Sequence, residues 1–131
     1  MIEQKALLID AKNESWQVKK IRNENILGPV DFGFHMNKQG DYFCLGIGLL
    51  AGSPLPGTHR LIITDRSPIW ETFYISTMGG AGLKFSKLGV NYVAIKNKFH
   101  QHSILRITNF AGKMMVHFEP VIDVEQIWKS G

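Results

Sequence analysis

Cysteine is almost absent from this 131-residue sequence, where Cys44 stands alone. It has no partner for an internal disulfide, and one thiol cannot supply a four-thiolate site, so no iron–sulfur cluster is bound by this chain alone. Such usage points to a reducing compartment, the cytoplasm. Long apolar runs are missing as well. Arg, Lys, Asp or Gly interrupts each stretch before it reaches the roughly 18 residues of a membrane span, so the expectation is a soluble chain with no membrane partner. The opening MIEQKALLIDAKNE carries its lysine inside a short apolar segment and not ahead of it, and reads as no signal peptide. There is no fixed-period repeat and no low-complexity tract. Neither the G-x-x-x-x-G-K-[ST] nor the G-x-G-x-x-G spacing occurs, which leaves a Walker loop and a Rossmann fingerprint unsupported. Charge of one sign is in small excess: 15 Lys and Arg against 11 Asp and Glu give +4. That attracts anions weakly, and the clusters Lys19-Lys20-Ile21-Arg22 and Lys96-Asn97-Lys98 are too short for a nucleic-acid stripe, so no nucleic-acid partner is expected.

What the sequence does have is apolar content. At 44% hydrophobic and 11% aromatic residues it can bury a core, and its length suits one domain spanning 1–131. Ala6 to Ile21 reads as a hairpin around the polar turn Asp10–Ser15. From Asn23 to Gly40, Gly28-Pro29 and Gly33 interrupt any period, and the segment reads as irregular. Tyr42–Leu50 reads as a buried strand despite Gly46 and Gly48. Leu61–Thr64, Thr72–Ser76 and Tyr92–Ile95 follow as strands, and Ile104–Thr108 and Met114–Phe118 form a hairpin across Asn109–Lys113. Gly79–Leu88 is the internal helix, stopped by Gly89, and Val124–Trp128 a short closing helical turn. Strands outnumber helices and most connections are short. The expected fold is therefore α+β, a largely antiparallel β-sheet with one principal helix.

Glycine marks where chemistry would sit. All but Gly112 and Gly131 of the 13 glycines lie between Gly28 and Gly89. Each weakens regular structure by up to about 1 kcal/mol relative to Ala, so the cluster needs a reason. Tight turns and close strand packing are one. Close approach of the backbone to a ligand is the other. The second is strongest where Gly52–Arg60, stiffened by Pro54 and Pro56, ends in a guanidinium and where Met78-Gly79-Gly80-Ala81-Gly82 opens a helix. Arg60 offers a bidentate fork and the Gly79-Gly80 amides offer bare N–H groups, so together they suit one phosphate. The other reactive residues are weaker candidates. His100 and His102 lie two apart, with an exposed loop as the simpler reading of a metal pair. His117 reads as a strand residue and Cys44 as an inert buried thiol. Asp65-Arg66, before Ser67-Pro68, reads as a turn.

In order, Leu8-Ile9-Asp10 with its polar turn, Leu27-Gly28, Gly48 to Pro56 and on to Arg60, Thr64-Asp65-Arg66-Ser67-Pro68, Gly79-Gly80, and Leu83-Lys84-Phe85 with Leu88-Gly89 follow a known pattern. They resemble the N-terminal domain of the aldehyde ferredoxin oxidoreductase family, which runs G-P-L-T-G-T-x-A-P-x-x-x-R, T-K-S-P, N-S-G-G and L-K-F-A-G-Y-D. The resemblance reaches Val124–Lys129, which looks like the I-W-G-K that closes the first half of that domain. It implies a base on which a tungsten or molybdenum bis-pterin cofactor lies. By the same resemblance Arg60 and Gly79-Gly80 meet the cofactor's phosphates, and Thr77 stands where the family has an asparagine whose backbone helps hold a bridging magnesium.

The departures matter too. Gly28-Pro29-Val30-Asp31-Phe32-Gly33 replaces G-G-R-G-L-G, so an arginine is missing, and one residue is deleted after Gly80. The second half of the base domain and the later domains with the cluster cysteines are absent from the sequence, so the chain is not expected to be a complete enzyme. The resemblance therefore implies a cofactor-binding module that works with a partner oxidoreductase subunit or as a homodimer. The other reading is a structural or interaction protein that keeps the fold without the cofactor. An enzyme with catalytic groups of its own ranks third, because no nucleophile or acid–base pair of recognisable spacing is present.

Overall fold

A computed structural model describes residues 3–22, 25–98 and 101–121, with positions 125 and 129. The hairpin read from Ala6 to Ile21 forms as strands β1 (Gln4–Asp10) and β2 (Ser15–Ile21). Asp10 holds its turn: its carboxylate accepts N–H bonds from Lys12 (3.1 Å) and Asn13 (3.4 Å) and side-chain amide bonds from Asn13 (2.9 Å) and Asn97 (2.8 Å). These bonds, that from Asn97 foremost, keep the Asp10 carboxyl below its ordinary range.

Strands β3 (Tyr42–Gly46), β4 (Leu61–Arg66), β5 (Phe73–Met78) and β6 (Tyr92–Lys96) complete a six-stranded sheet in the order β2-β1-β6-β3-β4-β5. Its pairs are antiparallel except β1 with β6, where Ala6 lies beside Tyr92. The fold is thus the expected α+β with a largely antiparallel sheet. β3 is shorter than the sequence indicated, because after Gly46 the chain leaves the ladder through an Ile47 N–H bond to the Asn91 carbonyl and enters turns. Asp65 and Arg66 end β4, and the turn follows them.

The segment read as irregular contains the longest helix among the described residues, α1 (Pro29–Gln39). Two supposed breakers are helix-compatible where they stand. Pro29 occupies the first turn, where a missing N–H costs nothing. Gly33 is the point of closest approach to the sheet: a Cβ there would lie 1.9 Å from the Thr64 hydroxyl on β4. One turn earlier, Pro29 rests on Gly46, whose own Cβ would meet the Pro29 ring at 2.7 Å and the Tyr92 ring at 2.8 Å. Phe32 stacks on Tyr92 with centroids 4.5 Å apart. The buried stripe of Phe32, Gly33, Met36 and Asn37 contains a glycine and an amide, so its periodicity is faint in the sequence.

On the opposite face of the sheet lies the second hairpin, β7 (Ser103–Phe110) and β8 (Lys113–Pro120). Its turn has positive φ at both Ala111 (52°) and Gly112 (80°), the geometry of the tightest hairpins. The sheet thus separates two cores. Leu7, Ile9, Val93 and Leu61 pack with Phe85, Val90 and the hairpin's Val116; Ala6, Cys44, Tyr92 and Ala94 pack with Phe32 and Met36 of α1. The helix read at Gly79–Leu88 forms as α2 (Ala81–Phe85) and a 3-10 turn (Ser86–Leu88), ended by Gly89 at φ 81°. The Asn109 side chain docks β7 there by donating to the Leu88 carbonyl at 2.8 Å. The closing turn expected at Val124–Trp128 falls, apart from Glu125, outside the described residues.

Two predictions follow from this packing. Gly33→Ala forces a methyl into Thr64 and is expected to lower stability by about 1–3 kcal/mol in urea unfolding, whereas Gly28→Ala, with nothing within 4 Å, should change it by under about 0.5 kcal/mol. Burial also pushes the Cys44 thiol from 9.0 up to about 12, and burial, then Asp31, pushes the Tyr92 phenol from 10.0 up to about 12. The unfolded chain therefore releases both protons at a pH where the folded chain still holds them. Stability from these groups is complete below pH 9 and is lost as pH rises toward 12. Melting temperatures from pH 8 to 11.5 should fall with a slope that Cys44→Ala and Tyr92→Phe each make shallower.

Candidate anion and cofactor site

The strand directions gather several segments at one end of the sheet. There β3 and β5 finish and β4, β6 and β1 begin. The β4–β5 ladder closes with Leu61 opposite Met78, so Arg60 and Gly79 are the next opposed positions. A second contact fixes them. A Cβ on Gly82, in the first turn of α2, would meet the His59 carbonyl oxygen at 2.4 Å and the Arg60 carbonyl carbon at 2.9 Å. Only glycine lets α2 lie against the backbone that carries Arg60. Gly80 turns the chain into α2 with φ 81°.

Arg60, Thr77, Gly79 and Gly80 are all exposed, and a Cβ on Gly79 or Gly80 would touch nothing within 4 Å. The structure therefore brings the four sequence-derived site residues to one open rim: Thr77 opposite Ile62 on β5, the glycines just beyond, and Arg60 across the ladder. The space beside both glycines is open. Since α2 spans five residues, its donors there are the N–H groups of its first turn, and its dipole is small.

The loop leading to Arg60 is internally braced. The Gly52 N–H donates to His59 Nδ1 at 3.0 Å, and the Thr58 hydroxyl donates to the Leu55 carbonyl at 2.8 Å. Gly52 (φ 89°) and Gly57 (φ 79°) make its bends. His59, unassigned from sequence, is thus the clamp of this loop; only its place beside Arg60 marked it.

The competing explanations of the glycine cluster each hold for different residues. Gly33, Gly46, Gly82 and Gly89 are packed against neighbours, and Gly52, Gly57 and Gly80 adopt left-handed conformations. Gly28, Gly48 and Gly79 show neither constraint. Gly48 follows the end of β3, and Gly28 precedes the proline that rests on Gly46, so all three lie toward the Arg60 end of the sheet.

Elsewhere the reactive residues are quiet. Cys44 is buried and faces Thr64 across the β3–β4 ladder, and His117 is an exposed residue of β8. His100 of the considered metal pair lies outside the described residues. Among the described residues no three His, Cys, Asp or Glu side chains converge as a metal site, and no helix is long and apolar enough to cross a membrane.

This geometry is that of a small α+β domain whose six-stranded sheet ends in an open, exposed rim. Residues 6–130 match the aldehyde ferredoxin oxidoreductase N-terminal domain, and the chain belongs to that family. It is 41% identical over 90 residues to glyceraldehyde-3-phosphate:ferredoxin oxidoreductase of Pyrococcus furiosus, covering 65% of this chain and 13% of that protein. To an uncharacterised protein of Methanocaldococcus jannaschii it is 47% identical over 88 residues, 67% of this chain and again 13% of the relative. The chain thus spans about an eighth of the length of these relatives. Its fold matches the active-site complex BamBC of benzoyl coenzyme A reductase, solved with 1,5-dienoyl-CoA, at a TM-score of 0.75 and 18% identity, over 87% of this chain and 19% of that one. The complete enzymes of the family carry a tungsten or molybdenum pterin.

Buried Gly82 and exposed Gly79 separate by role. Gly82→Ala should cost about 1–3 kcal/mol in chemical denaturation, since backbone is what its methyl strikes, while Gly79→Ala should leave stability within about 0.5 kcal/mol of the parent.

Proposed function

We propose that residues 1–131 form one domain that serves as a base for a phosphorylated tungsten or molybdenum pterin, acting with a partner oxidoreductase subunit or a second copy of itself. When bound, the metal pterin supplies the redox chemistry of aldehyde oxidation with ferredoxin as acceptor. The chain's own part is binding and orientation. Arg60 holds a phosphate through its guanidinium fork, and the N–H groups at Gly79-Gly80 complete the cradle without a side chain in the way. The backbone at Thr77 would help hold a magnesium ion, a role that tolerates threonine in place of asparagine. A lone buried cysteine suits the reducing cytoplasm as the place of work.

The observation that carries this reading is the opposition of Arg60 and Gly79 across the open end of a paired ladder. The family likeness and the unconstrained glycines at the same end support it. One observation favours an interaction protein without cofactor. Where the family has an arginine, this chain has the start of α1, and Asp31 turns back to accept the Leu27 N–H at 3.1 Å. The start of α1 thus carries a carboxylate and no guanidinium.

Titration with inorganic phosphate and with molybdopterin, followed by backbone amide NMR, separates the two. The expected result is a shift of the Gly79 and Gly80 amides and binding weakened about 10- to 100-fold in Arg60→Ala, the loss of one charge-assisted contact of roughly 1.5–3 kcal/mol. Unmoved glycine amides with both ligands would leave the interaction protein as the reading.

A further inference from the structure

The six-stranded sheet has two edges of opposite character. β2 carries Lys19 and Lys20, which blunt strand addition as edge lysines do. β5, Phe73-Tyr74-Ile75-Ser76-Thr77-Met78, carries no charge and no proline, and all of it beyond Phe73 is exposed. Among the described residues no strand pairs with its outer side, so an uncharged edge of six residues presents main-chain donors and acceptors over about 20 Å, at roughly 3.3 Å per residue. Apolar side chains flank it on both faces. Ile75 lies opposite Thr64 and so shares the α1 face with Phe73, which meets Phe34 of α1 edge-on at 5.5 Å. Tyr74 and Met78 lie on the other face. Phe34, Tyr74, Ile75 and Met78 are each 41–49% exposed.

We propose that β5 pairs antiparallel with β5 of a second copy of this chain, joining the two sheets across a twofold axis. This deepens the assembly half of the function proposed above and is independent of the phosphate site. The occupant follows from charge and symmetry. The chain carries +4, so copies meet best along a strand without charge; β5 is that edge, and beside it Lys38 lies over the Phe34 ring at 4.7 Å from its centroid. Pairing β5 with the lysine-bearing β2 of a neighbour would repeat without closing, whereas β5 with β5 closes after two copies. The axis stands normal to the sheet, so each residue opposes one on its own face. Ile75 faces the second copy's Ile75 with Phe73 against Thr77, or, one step along, Ser76 faces Ser76 with Tyr74 against Met78. Either register covers the half-exposed apolar side chains, and either leaves the two Arg60 rims at opposite ends of the joint.

Sedimentation equilibrium from 1 to 100 µM tests this. The expected result is a mass of two chains, reduced to one chain by Ile75→Lys, with the far-UV spectrum retained, and unchanged by Val18→Lys on β2. Because Cys44 is buried, single cysteines read the register independently of the lysine variant. Ile75→Cys or Ser76→Cys should oxidise to a covalent dimer, while Val18→Cys should not. A one-chain mass at every concentration overturns the proposal, as does a two-chain mass with no cross-link at either β5 position. The Gly79 and Gly80 amide titration on the same samples reports the phosphate reading separately.

Discussion

The architecture depends on the late entry of β6 into the middle of the sheet. Tyr92, Val93 and Ala94 are fully buried, and the strand lies between β1, parallel, and β3, antiparallel. Without it the sheet is two unconnected pieces, β1–β2 and β3–β5. It is also where the two cores meet, since Val93 belongs to the hairpin side and Tyr92 and Ala94 to the α1 side. Its long-range contacts, such as Ala6 with Tyr92, close a loop of most of the chain. Their loop-closure cost must be met before the core rewards it.

Tyr92 combines this position with polar chemistry. Its ring stacks on Phe32, and its hydroxyl donates to the Gln4 side chain, whose amide donates in turn to the Ile26 carbonyl at 2.9 Å. One residue thus ties β6 to α1, to β1 and to the segment preceding α1. A buried phenol with a partner is specific where a phenylalanine would only fill space.

Much of this was legible in the sequence where local and tertiary demands agreed. The hairpins announced themselves by polar turns between apolar runs, and Ala111-Gly112 by a residue suited to positive φ. The nearness of Arg60 to Gly79-Gly80 was legible too, because they stand beside strand ends that the pattern predicts. What was hidden is what only tertiary contact makes useful. Pro29 and Gly33 read as breakers of helix α1, yet the first suits a helix start and the second is the notch that admits Thr64. The short α2 has a similar origin: Gly82 is a poor helix former that earns no local stability and is needed for the backbone of His59 and Arg60 to approach.

The hairpin β7–β8 has a reach beyond the face it covers. Asn109 grips the Leu88 carbonyl, the same short segment brings Ser86 to within a Cβ's breadth of Gly52, and Gly52 in turn is bonded to His59, the residue before Arg60. These links run in series from one side of the molecule to the rim. A hairpin that came loose would therefore slacken the arginine's mooring without any change at the arginine itself, and damage far from the rim would be felt as imprecision there.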